Sequence, residues 1–133
     1  NPSVRTAVDA EFSGAGRIHC IEPLEYTDFL HLLSRAWLVA SDSGGVQEEA
    51  PSLGKPLLVL RDTTERPEVL DCGVGRLVGH SGERLEEMLE TALVDESWFD
   101  TVRTTKNPFG KGDAGEQIAS AIERFFTTKT GDA

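Results

Sequence analysis

Short apolar runs alternate with longer amphipathic stretches along this chain, and the alternation predicts its architecture. Residues 17–21, 37–40, 57–60 and 75–78 have strand length and are bounded by glycine, proline or polar turns. Around them, apolar positions recur at helical spacing in 4–12, 25–35, 46–53, 81–94, 96–106 and 114–126, with a short helical turn at 67–71. Within 25–35 the residues in step are Tyr26, Phe29, Leu30 and Leu33; within 81–94 they are Leu85, Met88, Leu89, Ala92 and Leu93. Strands that alternate with helices imply a parallel sheet and an α/β fold. No repeat or linker interrupts the pattern, so 1–126 reads as one domain and 127–133 as a loose tail. Pro51 conflicts with the helix at 46–53, because an interior proline removes a hydrogen bond and crowds the preceding turn; either the helix kinks there or two short turns share the segment.

The turn at 41–45, Ser-Asp-Ser-Gly-Gly, joins a strand candidate to a helix. Such a turn directs backbone N–H groups outward, and these, with the positive end of the helix dipole, favour an anion. Gly44 and Gly45 remove the side chains that would hold a phosphate away. Glu49 stands one helical turn beyond Gly45; its carboxylate would repel phosphate but can accept hydrogen bonds from two adjacent ribose hydroxyls. The pattern therefore points to a nucleotide rather than free phosphate. Taken alone, the segment reads more simply as Ser43 capping a helix, with Glu48 and Glu49 complementing its dipole. Neither a P-loop nor GxGxxG is present.

The loop Arg61-Asp-Thr-Thr-Glu-Arg66, after the run at 57–60, shifts that balance. Adjacent parallel strands deliver their loops to one sheet edge, and in open α/β sheets ligands bind at the carboxyl ends of the strands. Arg66 offers a guanidinium fork matched to phosphate oxygens; the alternative is an ion pair with Asp62, Glu65 or Glu68. The formal charge of −10 argues against nucleic acid as a partner and leaves any anion to local donors. No apolar run is long enough to span a bilayer, and no signal-peptide pattern opens the sequence. Cys20 and Cys72 form no CxxC pair and read as two reduced thiols of a cytoplasmic protein. His19, His31 and His80 lack metal-ligand spacing, so no metal is expected. Glu48 and Glu49 cannot act as an acid and base pair, because adjacent helix residues diverge by about 100° and would not flank one bond.

The run Asp42-Ser-Gly-Gly-Val-Gln-Glu-Glu-Ala-Pro-Ser-Leu-Gly-Lys-Pro56, followed by Arg61-Asp-Thr-Thr-Glu-Arg-Pro-Glu68, closely resembles the non-hydrolysing UDP-N-acetylglucosamine 2-epimerases. Asn1-Pro2 through Arg5, Ile21-Glu-Pro-Leu-Glu-Tyr26 and Asn107-Pro-Phe-Gly-Lys-Gly112 resemble further segments of that family in the same order. The resemblance covers most of the chain. It implies a Rossmann-like parallel sheet with helices on both faces, the partial C-terminal domain of a GT-B fold without its opening strands, and UDP bound in the cleft between domains. The 133 residues are too few for both domains, so the catalytic acids are expected on the absent half and no catalytic residue is assigned here.

By the same resemblance, Ser43, Gly44, Gly45 and Arg66 hold the pyrophosphate of UDP, Glu49 holds the ribose, Phe29 stacks on uracil, and backbone near Leu24 bonds the base edge. From periodicity alone Phe29 is a core residue of an amphipathic helix, and Leu24 stands where some relatives carry a polar residue. Arg5 and His31 are candidate remnants of the allosteric UDP-N-acetylglucosamine site found in many bacterial members. The resemblance also favours a built-in kink at Pro51, and a last helix that crosses toward the N-terminal domain and leaves Phe125 and Phe126 partly uncovered here. The implied reaction eliminates UDP to a 2-acetamidoglucal and re-adds it with C2 inverted, giving UDP-N-acetylmannosamine for polysaccharide biosynthesis. It needs no metal or redox cofactor, and the full-length enzyme is expected to be a cytoplasmic homodimer. A GT-B glycosyltransferase and a non-catalytic sugar-nucleotide-binding domain are the alternative readings. A sheet without its opening strands would expose unpaired edges, so self-association or marginal stability is expected.

Overall fold

The computed structural model describes residues 2–12 and 16–130, whose backbone falls into two compact units, Asn1–His31 and Leu32–Ala133. In the first, helix α1 spans Pro2–Phe12, and helix α2, Tyr26–Arg35, begins here and continues into the second unit. The strand expected at 17–21 does not form. Residues 18–25 carry no regular structure, and Ile18 and Ile21 are exposed. A strand exists only through its ladder, and no described residue pairs with this run. Arg5 reaches Glu22 at 2.5 Å instead, and that ion pair holds the Glu22 carboxyl below its ordinary value.

The second unit is built on strands β1 (Val39–Ser41), β2 (Leu57–Val59) and β3 (Gly75–Leu77). They pair in parallel in the order β1-β2-β3, with Ala40 opposite Leu58 and Leu58 opposite Arg76. Leu57, Leu58 and Val59 are all 0% exposed. Since successive strand residues point to opposite faces, both faces of β2 are covered, which is why its sequence is an unbroken apolar run. Each such side chain contributes about 1.5–3 kcal/mol of burial.

Helix α3 (Gly44–Ser52) connects β1 to β2, and the short helix α4 (Pro67–Asp71) connects β2 to β3. Pro51 is buried in the final turn of α3, so only the end of the helix has to accommodate its ring. The helix then stops on Gly54, at φ +61°, where Lys55 N–H donates to Ala50 O at 2.9 Å and Gly54 N–H to Pro51 O at 3.2 Å. This left-handed glycine closure uses carbonyls that the helix end would otherwise leave unpaired.

Helices α5 (Gly82–Val94), α6 (Ser97–Thr104) and α7 (Ala114–Thr130) follow. Ala92 is buried and Leu85, Met88 and Leu89 are half-buried, but Leu93, expected on the same side, is 70% exposed on the last turn of α5. Helix α6 supplies core that periodicity had not singled out, with Trp98, Phe99 and Val102 all buried. Trp98 Nε1–H donates to Gly73 O at 2.9 Å, the Arg76 guanidinium lies 4.1 Å from its ring centre, and Phe99 stacks on Trp37 at 5.1 Å. Helix α7 continues through 127–130, into the segment expected to be a loose tail; positions 131–133 lie outside the described residues. Each added residue gains a backbone bond, and no glycine or proline intervenes before Gly131. Phe125 and Phe126 are uncovered as expected, at 55% and 63% exposure.

Trp98→Phe retains an aromatic ring but removes part of the buried indole and strands the Gly73 carbonyl, so it is expected to destabilise the fold by about 1–3 kcal/mol. Chemical denaturation checks this, and an unchanged midpoint would show that neither the indole N–H nor its added bulk contributes to stability.

Candidate functional site

Two loops leave the carboxyl edge of the sheet side by side because β1 and β2 are adjacent and parallel. In the first, Ser43 is extended at φ −76°, ψ 129°, and its Oγ accepts from Val46 N–H at 3.5 Å, which makes it the N-cap of α3. Its own N–H donates to Ser41 Oγ at 3.1 Å. The N–H groups of Gly44 and Gly45 find no acceptor among the described residues. At a helix start these are the donors an anion takes up. A Cβ on Gly44 would lie 3.0 Å from Glu65 Oε1, so a carboxylate already rests against the glycine turn.

Glu65 comes from the second loop. Its Oε2 accepts from Arg61 Nη1 at 2.7 Å, and its carboxyl is held below its ordinary value by its own backbone N–H and then by Arg61. Arg66 precedes Pro67, the first residue of α4. Its Nε donates to Glu48 Oε1, and its Nη1 donates to the Glu65 carbonyl at 3.3 Å. The hydrogen bond to Glu48 is the main cause of a guanidinium pKa above its ordinary value. The ion pair therefore exists, but the carboxylate is on α3, not Asp62, Glu65 or Glu68 on the arginine's own side of the sheet edge. Asp62 instead lies 3.5 Å from His80 Nε2.

A second link joins the loops inside the fold. Gln47 is the one buried polar side chain among the described residues, at 0% exposure. Its Nε2 donates to Ser43 O at 3.3 Å, and its Oε1 accepts from Thr64 Oγ. Thr64 Oγ in turn accepts from Arg66 N–H at 3.0 Å. Neither Gln47 nor Thr64 stood out in the sequence. The available signal was that Gln47 shares the buried side of α3 with Val46, Ala50 and Pro51. A polar residue within an apolar face must find partners or leave its amide unsatisfied.

Ser43, Gly44, Gly45, Glu49 and Arg66 are thus carried by the two neighbouring loops and the helix between them. Glu49 is half-buried on α3, and its carboxylate makes no hydrogen bond or ion pair among the described residues. Leu24, Phe29, Arg5 and His31 belong to the first unit. Leu24 is 41% exposed just before α2, Phe29 is half-buried within that helix rather than fully in the core, and His31 is exposed. Arg5 is engaged by Glu22. One strand over, a cleft of about 540 Å³ opens between the ends of β2 and β3, with Arg61, Asp62, His80, Ser81 and Arg84 on its walls; Ser43, Gly44, Gly45, Glu49 and Arg66 do not line it. Among the described residues, no three His, Cys, Asp or Glu side chains cluster as metal ligands and no helix is long and apolar enough to cross a membrane.

A parallel sheet whose central strand is buried on both faces, with a capped glycine helix start and an arginine loop on its carboxyl edge, makes this a Rossmann-like α/β fragment of the GT-B class. The chain belongs to the UDP-N-acetylglucosamine 2-epimerase family, whose profile matches residues 1–123. It is 48% identical over 126 residues to the probable UDP-N-acetylglucosamine 2-epimerase of Ralstonia nicotianae, covering 95% of this chain and 34% of that protein. The S. aureus MnaA–UDP co-structure is similar at a TM-score of 0.89 and 35% identity, over 96% of this chain and 35% of the other. The Neisseria meningitidis UDP-GlcNAc 2-epimerase bound to UDP-GlcNAc is similar at a TM-score of 0.81 and 41% identity, over 93% of this chain and 34% of the other. The chain spans about a third of the length of the curated relatives it matches.

The depressed Glu65 carboxyl sets a pH dependence. A carboxylate lowered on folding contributes stability that is present above its ordinary value of 4.5 and is lost as pH falls through the folded value. Side-chain carbon NMR should place the Glu65 midpoint below 4.5 and return it toward that value in Arg61→Gln. A midpoint at or above 4.5 in the parent chain contradicts the arrangement.

Proposed function

We propose that this chain is the UDP-binding C-terminal part of a UDP-N-acetylglucosamine 2-epimerase. The observation that carries the reading is the pairing of an open glycine helix start with Arg66 on one sheet edge, in a family whose solved members hold UDP and UDP-GlcNAc. Ser43, Gly44, Gly45 and Arg66 hold the diphosphate, and a diphosphate entering there displaces the Glu65 carboxylate from Gly44. Glu49, which has no partner among the described residues, accepts from the ribose hydroxyls. Phe29 stacks on uracil and backbone at Leu24 meets the base edge. Arg5 and His31 are assigned to a second, regulatory UDP-N-acetylglucosamine site; release of Arg5 from Glu22 would accompany its filling.

In the whole enzyme these groups act on the leaving group. The anomeric C–O bond breaks with its electron pair passing to the β-phosphate oxygen, and loss of the C2 proton to a base outside this chain completes the glucal. Gly44 and Gly45 N–H groups and the Arg66 guanidinium stabilise the charge that develops on UDP, because they are aimed before the bond breaks. Re-addition of UDP with C2 protonated from the opposite face gives UDP-N-acetylmannosamine. The whole protein is read as a cytoplasmic homodimer.

Calorimetric titration of this chain with UDP tests the site. Arg66→Ala removes a charge-assisted contact and should weaken binding by about 10–100-fold, and Glu49→Gln by about 3–10-fold. Equal affinity in both variants would remove the assignment. The chain alone should bind UDP without converting UDP-N-acetylglucosamine, and sustained turnover by a highly purified sample would overturn that division of labour.

A further inference from the structure

Gln47 and Thr64 have no part in the reading above, yet all of their side-chain bonds run to the two loops that carry it. The hydrogen bonds form one directed chain. Arg66 N–H donates to Thr64 Oγ, Thr64 O–H donates to Gln47 Oε1, and Gln47 Nε2–H donates to Ser43 O. Each inner group both donates and accepts, so each bond polarises the next, and burial at 0% exposure shields the amide from competing water. Glu48, the next residue on α3, turns about 100° from Gln47 and takes Arg66 Nε. Both the backbone and the side chain of Arg66 are therefore referred to the same helix that begins with Gly44 and Gly45.

We infer that the Gln47–Thr64 bridge is a positioning device that sets the separation between the glycine turn and Arg66, and so selects a diphosphate over a monophosphate. This rests on the diphosphate reading of the site. Neither residue touches the ligand. The bridge acts by holding Ser43, which caps the glycine turn, and Arg66 in register before any ligand arrives, which lowers the ordering cost of binding. Without it the two loops remain joined by the half-exposed Glu48–Arg66 pair. That pair is worth little by itself, and a loop held by it alone would sample many separations.

Titration of the intact chain with UDP and with UMP, for Thr64→Val, Thr64→Ser and Gln47→Met, separates this role from a merely structural one. Thr64→Val preserves shape but breaks the chain of bonds, and should lower UDP affinity by about 5–20-fold while changing UMP affinity less than about twofold. Thr64→Ser restores the hydroxyl and should restore the UDP to UMP preference. Gln47→Met should reproduce the loss seen with valine. A purely structural role would lower the melting temperature and weaken both nucleotides alike, leaving their ratio unchanged. An unchanged ratio in Thr64→Val and Gln47→Met, with UDP still bound by the parent chain, overturns the positioning role. Absence of UDP binding by the parent chain itself is a separate outcome, which overturns the diphosphate reading and this role with it.

Discussion

The parallel ladder between β1 and β2 sets where everything at the carboxyl edge can be. It places Ser41 beside Val59, so the chain segments that leave those strands start as neighbours. Burial of β2 on both faces keeps the ladder from slipping, because a one-residue shift would exchange the side chains presented to each face and unpair backbone groups that have no water to turn to. The contacts between the two loops depend on that register. Gln47 could not meet Thr64, nor Glu48 meet Arg66, if α3 began one residue earlier or later relative to β2.

The electrostatics of the edge run against the charge of the molecule as a whole. At this edge a chain of formal charge −10 presents Arg61, held by Glu65 of its own loop, and Arg66, held by Glu48 of α3. Screening confines the general field to about 8 Å at physiological salt, so nearby donors decide what an anion meets. The Glu65 carboxylate lies against Gly44, in the proposed diphosphate site, and its own backbone N–H and Arg61 favour its ionised form. A negatively charged group is thus already compatible with the glycine turn.

Much of this was readable from residue order. The apolar runs at 57–60 and 75–78 contain β2 and β3, the short turn at 67–71 is α4, and Ser43 caps α3. These features are local. An unbroken apolar run or a serine before a helix carries its reason within a few residues. The failures share the opposite property. The run at 17–21 has strand composition but no described partner, Leu93 has the spacing of a buried residue but sits on the final turn of its helix, and Trp98 has an isolated tryptophan's sequence but a specific carbonyl to meet 25 positions away.

The same division separates the two halves of the candidate site. Residue types and spacing alone supplied a capped glycine turn at Ser43, Gly44 and Gly45, a carboxylate at Glu49 and an arginine at position 66 on the following loop, the residues of the proposed nucleotide site, since each is legible from the residue at its own position. Tertiary structure alone decided that Arg66 pairs with Glu48 and that Gln47 is buried against Thr64. Those partners lie 18 and 17 residues apart, and only the parallel pairing of β1 with β2 brings them within hydrogen-bonding distance.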